Sequence, residues 1–175
     1  MNEVSRGHDY SSWGPARSKR VAWHDPIVTA RARGELSGLA FLEAIRDGRF
    51  PPPPIAALLN FTLVSVDVGQ VVFECVPDES VYNPIGLVHG GLVCTLADTV
   101  AACAVQSTLA AGVGYTSIDL NVSYLRPLTT ETGVLRGTGR VTKPGRRVGF
   151  ADAQICDASG RLVATASTSC LIIEE

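Results

Sequence analysis

Apolar and polar residues alternate with a short period through most of the chain after residue 60, and that period lengthens once, near residue 91. Phe61 to Val66 and Val71 to Val76 are short apolar runs separated by a polar stretch containing Gly69, the pattern of a β-hairpin. From Asp78 to Val88 the chain is irregular, with Asn83, Pro84 and Gly86. Over residues 91–108, Leu92, Val93, Leu96, Ala97, Val100, Ala101, Cys103, Ala104 and Val105 put apolar side chains on nearly every side, predicting one long helix enclosed by protein. Four strand-like segments follow, at 114–125, 133–142, 147–157 and 161–173. Turn signals stand at Pro144-Gly145 and at Asp157-Ala158-Ser159-Gly160. In the first segment Ile118, Leu120, Val122 and Tyr124 fall on one face, and Ser117, Asp119, Asn121 and Ser123 on the other. Strands and helix are segregated, so the class is α+β, a curled antiparallel sheet wrapped around one central helix. Such a sheet leaves an edge strand to be covered, which predicts a homodimer that continues the sheet.

The N-terminal third reads differently. Residues 1–35 are charged and weakly patterned, and predict a loosely held extension carrying Trp13 and Trp23. Ser37 starts a short amphipathic helix, with Leu39, Phe41, Leu42 and Ile45 at helical spacing, that ends near Gly48. Pro51 to Pro54 form a stiff spacer, read as a linker rather than a recognition motif. Ile55 to Leu59 read as one or two helical turns. The boundary is therefore a helical N-terminal extension over residues 1–54 and a main domain over 55–175.

Composition narrows the function classes. Of 175 residues 46% are hydrophobic, enough for a core without metal or disulfide staples. A formal net charge of −2 gives no general attraction to nucleic acid or anionic lipid, so a polyanionic ligand needs a local basic cluster. The cysteines, Cys75, Cys94, Cys103, Cys156 and Cys170, are odd in number and form no CxxC pair, which predicts reduced thiols in a cytoplasmic protein. Residues 1–20 hold Glu3, Arg6, His8, Asp9, Arg17, Lys19 and Arg20 with no apolar run, so no secretory signal is expected. Asp98 and Gln106 interrupt the longest apolar stretch, which reads as a buried helix rather than a membrane span. No metal-ligand spacing and no phosphate-binding glycine motif occurs, and Gly137 and Gly139 read as strand residues.

The candidate chemistry gathers at the helix. A lone carboxylate on an apolar helix is costly unless paired, hydrogen-bonded or lining a cleft, so Asp98 reads equally as structural or catalytic from the helix alone. Gly90 and Gly91 are poor helix formers, yet they open the helix, where free N–H groups and the helix dipole favour developing negative charge. A thioester carbonyl under attack could use such a donor as an oxyanion hole. His89, taken alone, reads more readily as a cap or loop contact than as a ligand contact. Lys143, Arg146 and Arg147 surround the Pro144-Gly145 turn and Arg126 ends the preceding strand; they read as either a solvated turn or a phosphate contact.

Asn83-Pro84-Ile85-Gly86-Leu87-Val88-His89-Gly90-Gly91, followed by Thr95-Leu96-Ala97-Asp98, resembles the signature of hotdog-fold thioesterases of the PaaI-like branch. Ser117-Ile118-Asp119-Leu120-Asn121-Val122 and Tyr124-Leu125-Arg126-Pro127 resemble that family's next strand, and residues 141–150 its following hairpin. The resemblance covers about residues 55–173. It implies a hotdog fold and hydrolysis of an acyl- or aryl-coenzyme A thioester, with no cofactor beyond the CoA of the substrate. It implies Asp98 as nucleophile or general base, Gly90 as the N–H that polarises the carbonyl, and Asn83 and His89 as holders of the carbonyl or the leaving thiol. Ser117 matches a hydroxyl that bonds the attacking water. Gly91, Arg126, Lys143, Arg146 and Arg147 are the implied CoA contacts. The implied assembly is a homodimer, paired further into a homotetramer, with Asp98 facing the Asn83–Gly90 loop of the other subunit.

Two other classes compete. A non-catalytic acyl-CoA sensor could use the same fold, though residues 1–50 lack a basic recognition helix. A hydratase of this fold would carry a histidine after the helix aspartate, and none follows Asp98. The acyl group is read from Ala101, Ala102 and Ala104, whose small side chains predict space for a medium-length or aryl group.

Overall fold

In the computed structural model, which describes residues 10–174, the hairpin after the proline tract is present as β1 (Phe61–Asp67) and β2 (Gln70–Cys75). The expectation placed on Glu3, Arg6, His8 and Asp9 lies outside the described residues. The long helix is α4 (Gly90–Gln106), and the four later strands are β3 (Val113–Tyr124), β4 (Leu135–Lys143), β5 (Val148–Cys156) and β6 (Leu162–Glu174), of which β4, β5 and β6 form a meander while β3 crosses to the sheet edge and pairs with β6. The six strands make one antiparallel sheet in the order β1-β2-β4-β5-β6-β3. This is the α+β hotdog architecture, with α4 packed in the curl of the sheet.

The helix begins one residue earlier than its apolar pattern. His89 supplies an N-terminal cap, so Gly90 takes the first helical position. Along β4, glycines let the helix come in close. A Cβ at Gly139 would stand 2.0 Å from the carbonyl oxygen of Val100, and one at Gly137 would stand 3.1 Å from Leu96, Val100 and Ile155 side chains. Helix and strand therefore meet backbone to side chain and backbone to backbone. Gly139→Val is expected to lower stability by about 3 kcal/mol or to prevent folding, as read by the midpoint of urea unfolding. A midpoint equal to that of the unaltered protein would show that α4 can back away from the sheet.

The alanines predicted to leave space lie in the core. Ala101 and Ala104 are fully buried and Ala102 is 5% exposed, all within the core cluster. Ala101 stands against β4, where a Cβ at Gly139 would lie 2.8 Å from its backbone nitrogen.

The extension is more ordered than its charge pattern implies. Asp25 caps α1 (Pro26–Ala32) by accepting from the Ile27 N–H, and Pro26 sits at the first helical position, where its missing N–H costs nothing. Ser37 caps α2 (Gly38–Arg46), whose Phe41 and Leu42 enter the core. Gly38 packs so tightly on α4 that a Cβ there would stand 1.7 Å from the Gln106 carbonyl oxygen. The proline spacer leads into α3 (Pro54–Leu59), closed by Asn60 in the left-handed conformation. Trp13 and Trp23 are exposed, but the arm around residues 17–19 is tied down. Arg17 pairs with Glu79, and Lys19 reaches Asp78 Oδ2 at 2.7 Å. The Lys19 ammonium and the Ser80 hydroxyl hold the Asp78 carboxyl well below the usual carboxylate range.

Candidate active site

Two half-sites lie on α4, one at its N-terminus and one at its middle. At the middle, Asp98 is half-buried and its Oδ1 accepts a hydrogen bond of 2.8 Å from Ser117 Oγ. No described donor reaches Oδ2, and Asp98 lines a cleft of 390 Å3 with Cys94, Thr95 and residues 117–120. A carboxylate with one oxygen anchored and one open is oriented to attack or to take a proton.

Ser117 reaches Asp98 because β3 is not a regular strand. The pairing with β6 slips between Ser117 and Asp119, leaving Ile118 as the extra residue of a β-bulge. Ile118 is thrust outward, 55% exposed, while Tyr115 and Ser117 before it and Leu120 and Val122 after it all turn toward the helix side. The regular alternation expected for this strand put Ser117 opposite Leu120. The bulge places them on one face.

At the N-terminus, His89 Nδ1 accepts from the Gly91 N–H at 2.8 Å. In the neutral ring the proton must then sit on Nε2, which remains a donor. The Gly91 N–H is consumed by this cap, and nothing among the described residues accepts from the Gly90 N–H. Gly90 is also constrained by shape: a Cβ there would stand 3.1 Å from the Tyr124 ring, whose hydroxyl donates to the Gly90 carbonyl at 3.1 Å. Asn83 Oδ1 accepts from the N–H groups of Ile85 and Leu87, each at 3.1 Å, so this side chain braces its own loop and only its Nδ2 is left for a ligand. The loop is tied at its far end, where the Val88 N–H donates to the Leu128 carbonyl and the His89 N–H to the Val81 carbonyl.

The sequence singled out Asn83, His89, Gly90 and Arg126, and these gather around one cleft of 310 Å3 at the helix N-terminus or beside it. Tyr124, which buttresses Gly90, was not among them; its signal was its place in the family-like segment Tyr124-Leu125-Arg126-Pro127, to which no role was attached. Lys143, Arg146 and Arg147 are exposed on the β4–β5 turn beside Val105 and Thr108, at the opposite end of α4. Within one chain they do not join Arg126, whose Nε is engaged by the Leu162 carbonyl at 3.2 Å.

Asp98 lies eight residues along α4 from Gly90, about 12 Å at 1.5 Å per residue. One carbonyl group cannot touch both in a single chain. Two thiols near the site, Cys103 and Cys170, are poor nucleophiles: burial pushes Cys103 up to about 12 and raises Cys170. All five cysteines are free. Among the described residues no three His, Cys, Asp or Glu side chains come together in a way that would hold a metal ion. No helix there is long and apolar enough to cross a membrane.

Residues 85–164 match the thioesterase superfamily. Human acyl-coenzyme A thioesterase 13 is 34% identical over 106 residues, a match that spans 60% of this chain and 74% of that one. The chain belongs to the thioesterase superfamily. A phenylacetic acid degradation-related protein of Ralstonia eutropha superimposes with a TM-score of 0.68 at 32% identity, over 74% of this chain and 98% of that one. The PaaI protein of the Escherichia coli phenylacetic acid degradation operon gives 0.67 at 26% identity, over 79% and 96%. This thioesterase is thus a PaaI-like hotdog protein and a thioester hydrolase. The match to the family model starts at residue 85, after α1, α2, α3 and the first hairpin, while the structural matches, over 74% and 79% of this chain, reach into those elements.

Proposed function

We propose that this thioesterase hydrolyses an acyl-coenzyme A thioester to free acid and CoA, at a site completed by two copies of the chain. The observation that carries this reading is the division of α4: an oriented carboxylate at Asp98 and an unpaired N–H at Gly90, about 12 Å apart along the helix. Two antiparallel copies of α4, related by a two-fold axis, bring the Asp98 of each opposite the Gly90 of the other. Strand β3 offers the route to that dimer. It is a sheet edge, paired on one side only, and it exposes Ile118 and Tyr124, with Leu125 exposed just after it. Further pairing of dimers into a tetramer suits the same family.

Each group then has one task. Asp98 acts as nucleophile or as general base toward water, and Ser117 holds it and the attacking oxygen in register. The Gly90 N–H of the facing copy takes the charge that builds on the carbonyl oxygen. His89 Nε2–H and Asn83 Nδ2 remain to hold the carbonyl or the leaving sulfur. A thioester is electrophilic enough for a carboxylate and one oxyanion donor to suffice. Gly91, with its N–H engaged by His89, serves through its lack of a side chain. Arg126, Lys143, Arg146 and Arg147, split between the two ends of one helix, meet across the dimer and face the CoA phosphates. A cytoplasmic setting suits five free thiols.

The acyl-CoA substrate is supported by the name of the human relative; the alternative is a sensor that binds without turnover. Thiol release from a panel of acyl-CoA thioesters decides between them. Sustained turnover is expected, whereas stoichiometric binding with no released thiol would establish the sensor.

A further inference from the structure

Strand β3 sends a hydroxyl to each half of the candidate site. Ser117 donates to Asp98 at the middle of α4, and Tyr124 donates to the Gly90 carbonyl at its start. Their separation in sequence is odd, and in a regular strand an odd separation puts two side chains on opposite faces. The bulge at Ile118 removes that conflict. Ser117 stands opposite Cys170 of β6 and Tyr124 opposite Ala164, and the separation of those two partners is even. Cys170 and Ala164 are both buried in the core cluster that includes α4. Residues directly opposite share a face, so the one extra residue brings both hydroxyls to the helix side.

The Tyr124 contact falls on the least constrained part of the helix. Gly90 and Gly91 open α4, and glycine has the widest choice of backbone angles of any residue. An N–H there keeps one direction only when a group outside the helix holds its residue. For Gly91 that group is the His89 ring, which accepts its N–H at 2.8 Å. For Gly90 it is Tyr124. The ring covers the α-carbon, where a Cβ would stand 3.1 Å from Cζ and 3.2 Å from Oη, and the hydroxyl donates to the carbonyl at 3.1 Å. Together they hold the backbone angles of Gly90, and with them the direction of its N–H. Partial burial, with the Cys94 thiol beside it, raises the Tyr124 hydroxyl above its ordinary pKa, so the proton this bond needs is retained.

We infer that Tyr124 is a positioning residue for the oxyanion hole: it aims the Gly90 N–H as Ser117 aims Asp98, and the Ile118 bulge lets one strand set both. The inference rests on the proposed acyl-CoA reading, which gives the Gly90 N–H its task. Tyr124 touches no reacting atom. Its effect falls on the step in which charge builds on the carbonyl oxygen, and not on binding of the planar thioester.

Tyr124→Phe in the full-length protein keeps the ring and removes the hydroxyl. Its kcat for acyl-CoA hydrolysis is expected to fall about ten-fold, with KM changed by less than about two-fold. Two ligands of CoA give a readout that packing alone would not move. Trifluoroacetonyl-CoA, a ketone whose hydrate is tetrahedral like the intermediate, is expected to bind Tyr124→Phe about ten-fold more weakly than the unaltered protein. S-Butyl-CoA, which has no carbonyl, is expected to bind both equally. Full activity in Tyr124→Phe with a loss in Tyr124→Leu would assign the role to the ring and overturn the inference. Weaker S-butyl-CoA binding with kcat kept would make Tyr124 a substrate contact and overturn it too, as would a Tyr124→Phe protein that does not fold. An unaltered protein that turns over no acyl-CoA would overturn the proposed reaction. Equal ketone affinity in the two proteins would overturn the inference whether or not that reaction stands.

Discussion

Asp98→Asn is expected to lower kcat for acyl-CoA hydrolysis by about 10^3-fold or more, with KM changed by less than about three-fold. The amide keeps an oxygen for the Ser117 hydroxyl, so the anchoring bond of 2.8 Å survives. What disappears is the charge on the open oxygen, and an amide can neither attack a carbonyl nor accept a proton from water at neutral pH. Thermal melting separates this role from a structural one. A catalytic carboxylate predicts a melting temperature within about two degrees of the unaltered protein, since only a part-exposed charge is removed. Full activity in Asp98→Asn would remove this residue from the mechanism, and a collapse of stability would reassign it to the fold.

The second large effect concerns Gly90. Proline removes the N–H and little else, because Gly90 is the first helical residue, where proline is favoured. His89 before it already has φ −62° and ψ 133°, the extended backbone a residue preceding proline adopts. The added ring must displace Tyr124 by a few tenths of an ångström. Gly90→Pro is expected to lower kcat by about 10^2- to 10^3-fold, the loss of one oxyanion donor. Mixing makes the stronger claim. When Asp98→Asn and Gly90→Pro chains are unfolded together and refolded at equal amounts, half the dimers are mixed. Each mixed dimer has one site with an intact carboxylate and an intact donor. Activity is then expected to return to about a quarter of the unaltered level, though neither variant is active alone. No recovery, with mixed dimers verified by native mass spectrometry, would place both groups in one chain and contradict the shared site.

The fold was legible wherever one residue pattern answered to one environment. The all-round apolar helix and the four later strands follow from burial alone, and the strand glycines at 137 and 139 from the absence of any other motif around them; the crossover that takes β3 to the sheet edge beside β6 leaves no mark in a strand pattern. The candidate site was legible through His89-Gly90-Gly91 and Asp98, whose types make poor sense on an enclosed helix unless a ligand comes near. What escaped has physical causes. The bulge at Ile118 shifts the side-chain phase of β3 by one residue, and a period-2 reading has no term for it. The alanines of α4 are buried, but small residues accompany both cavities and close contacts, and the pattern of residue types does not distinguish the two. Helix α1 was missed although Asp25-Pro26 is a cap followed by a first-turn proline, because the charged residues around it drew the reading toward an unpatterned arm.

The contact between β4 and α4 reaches further than the core it closes. The helix rests on strand backbone at Gly139, so its depth in the sheet is set by atoms that every residue type shares rather than by interdigitated side chains. Substitutions elsewhere in the core will change how stable the protein is without moving the carboxylate. Variants can therefore be stabilised through Leu135 and keep their turnover number, so heat tolerance and rate become separate handles in this scaffold.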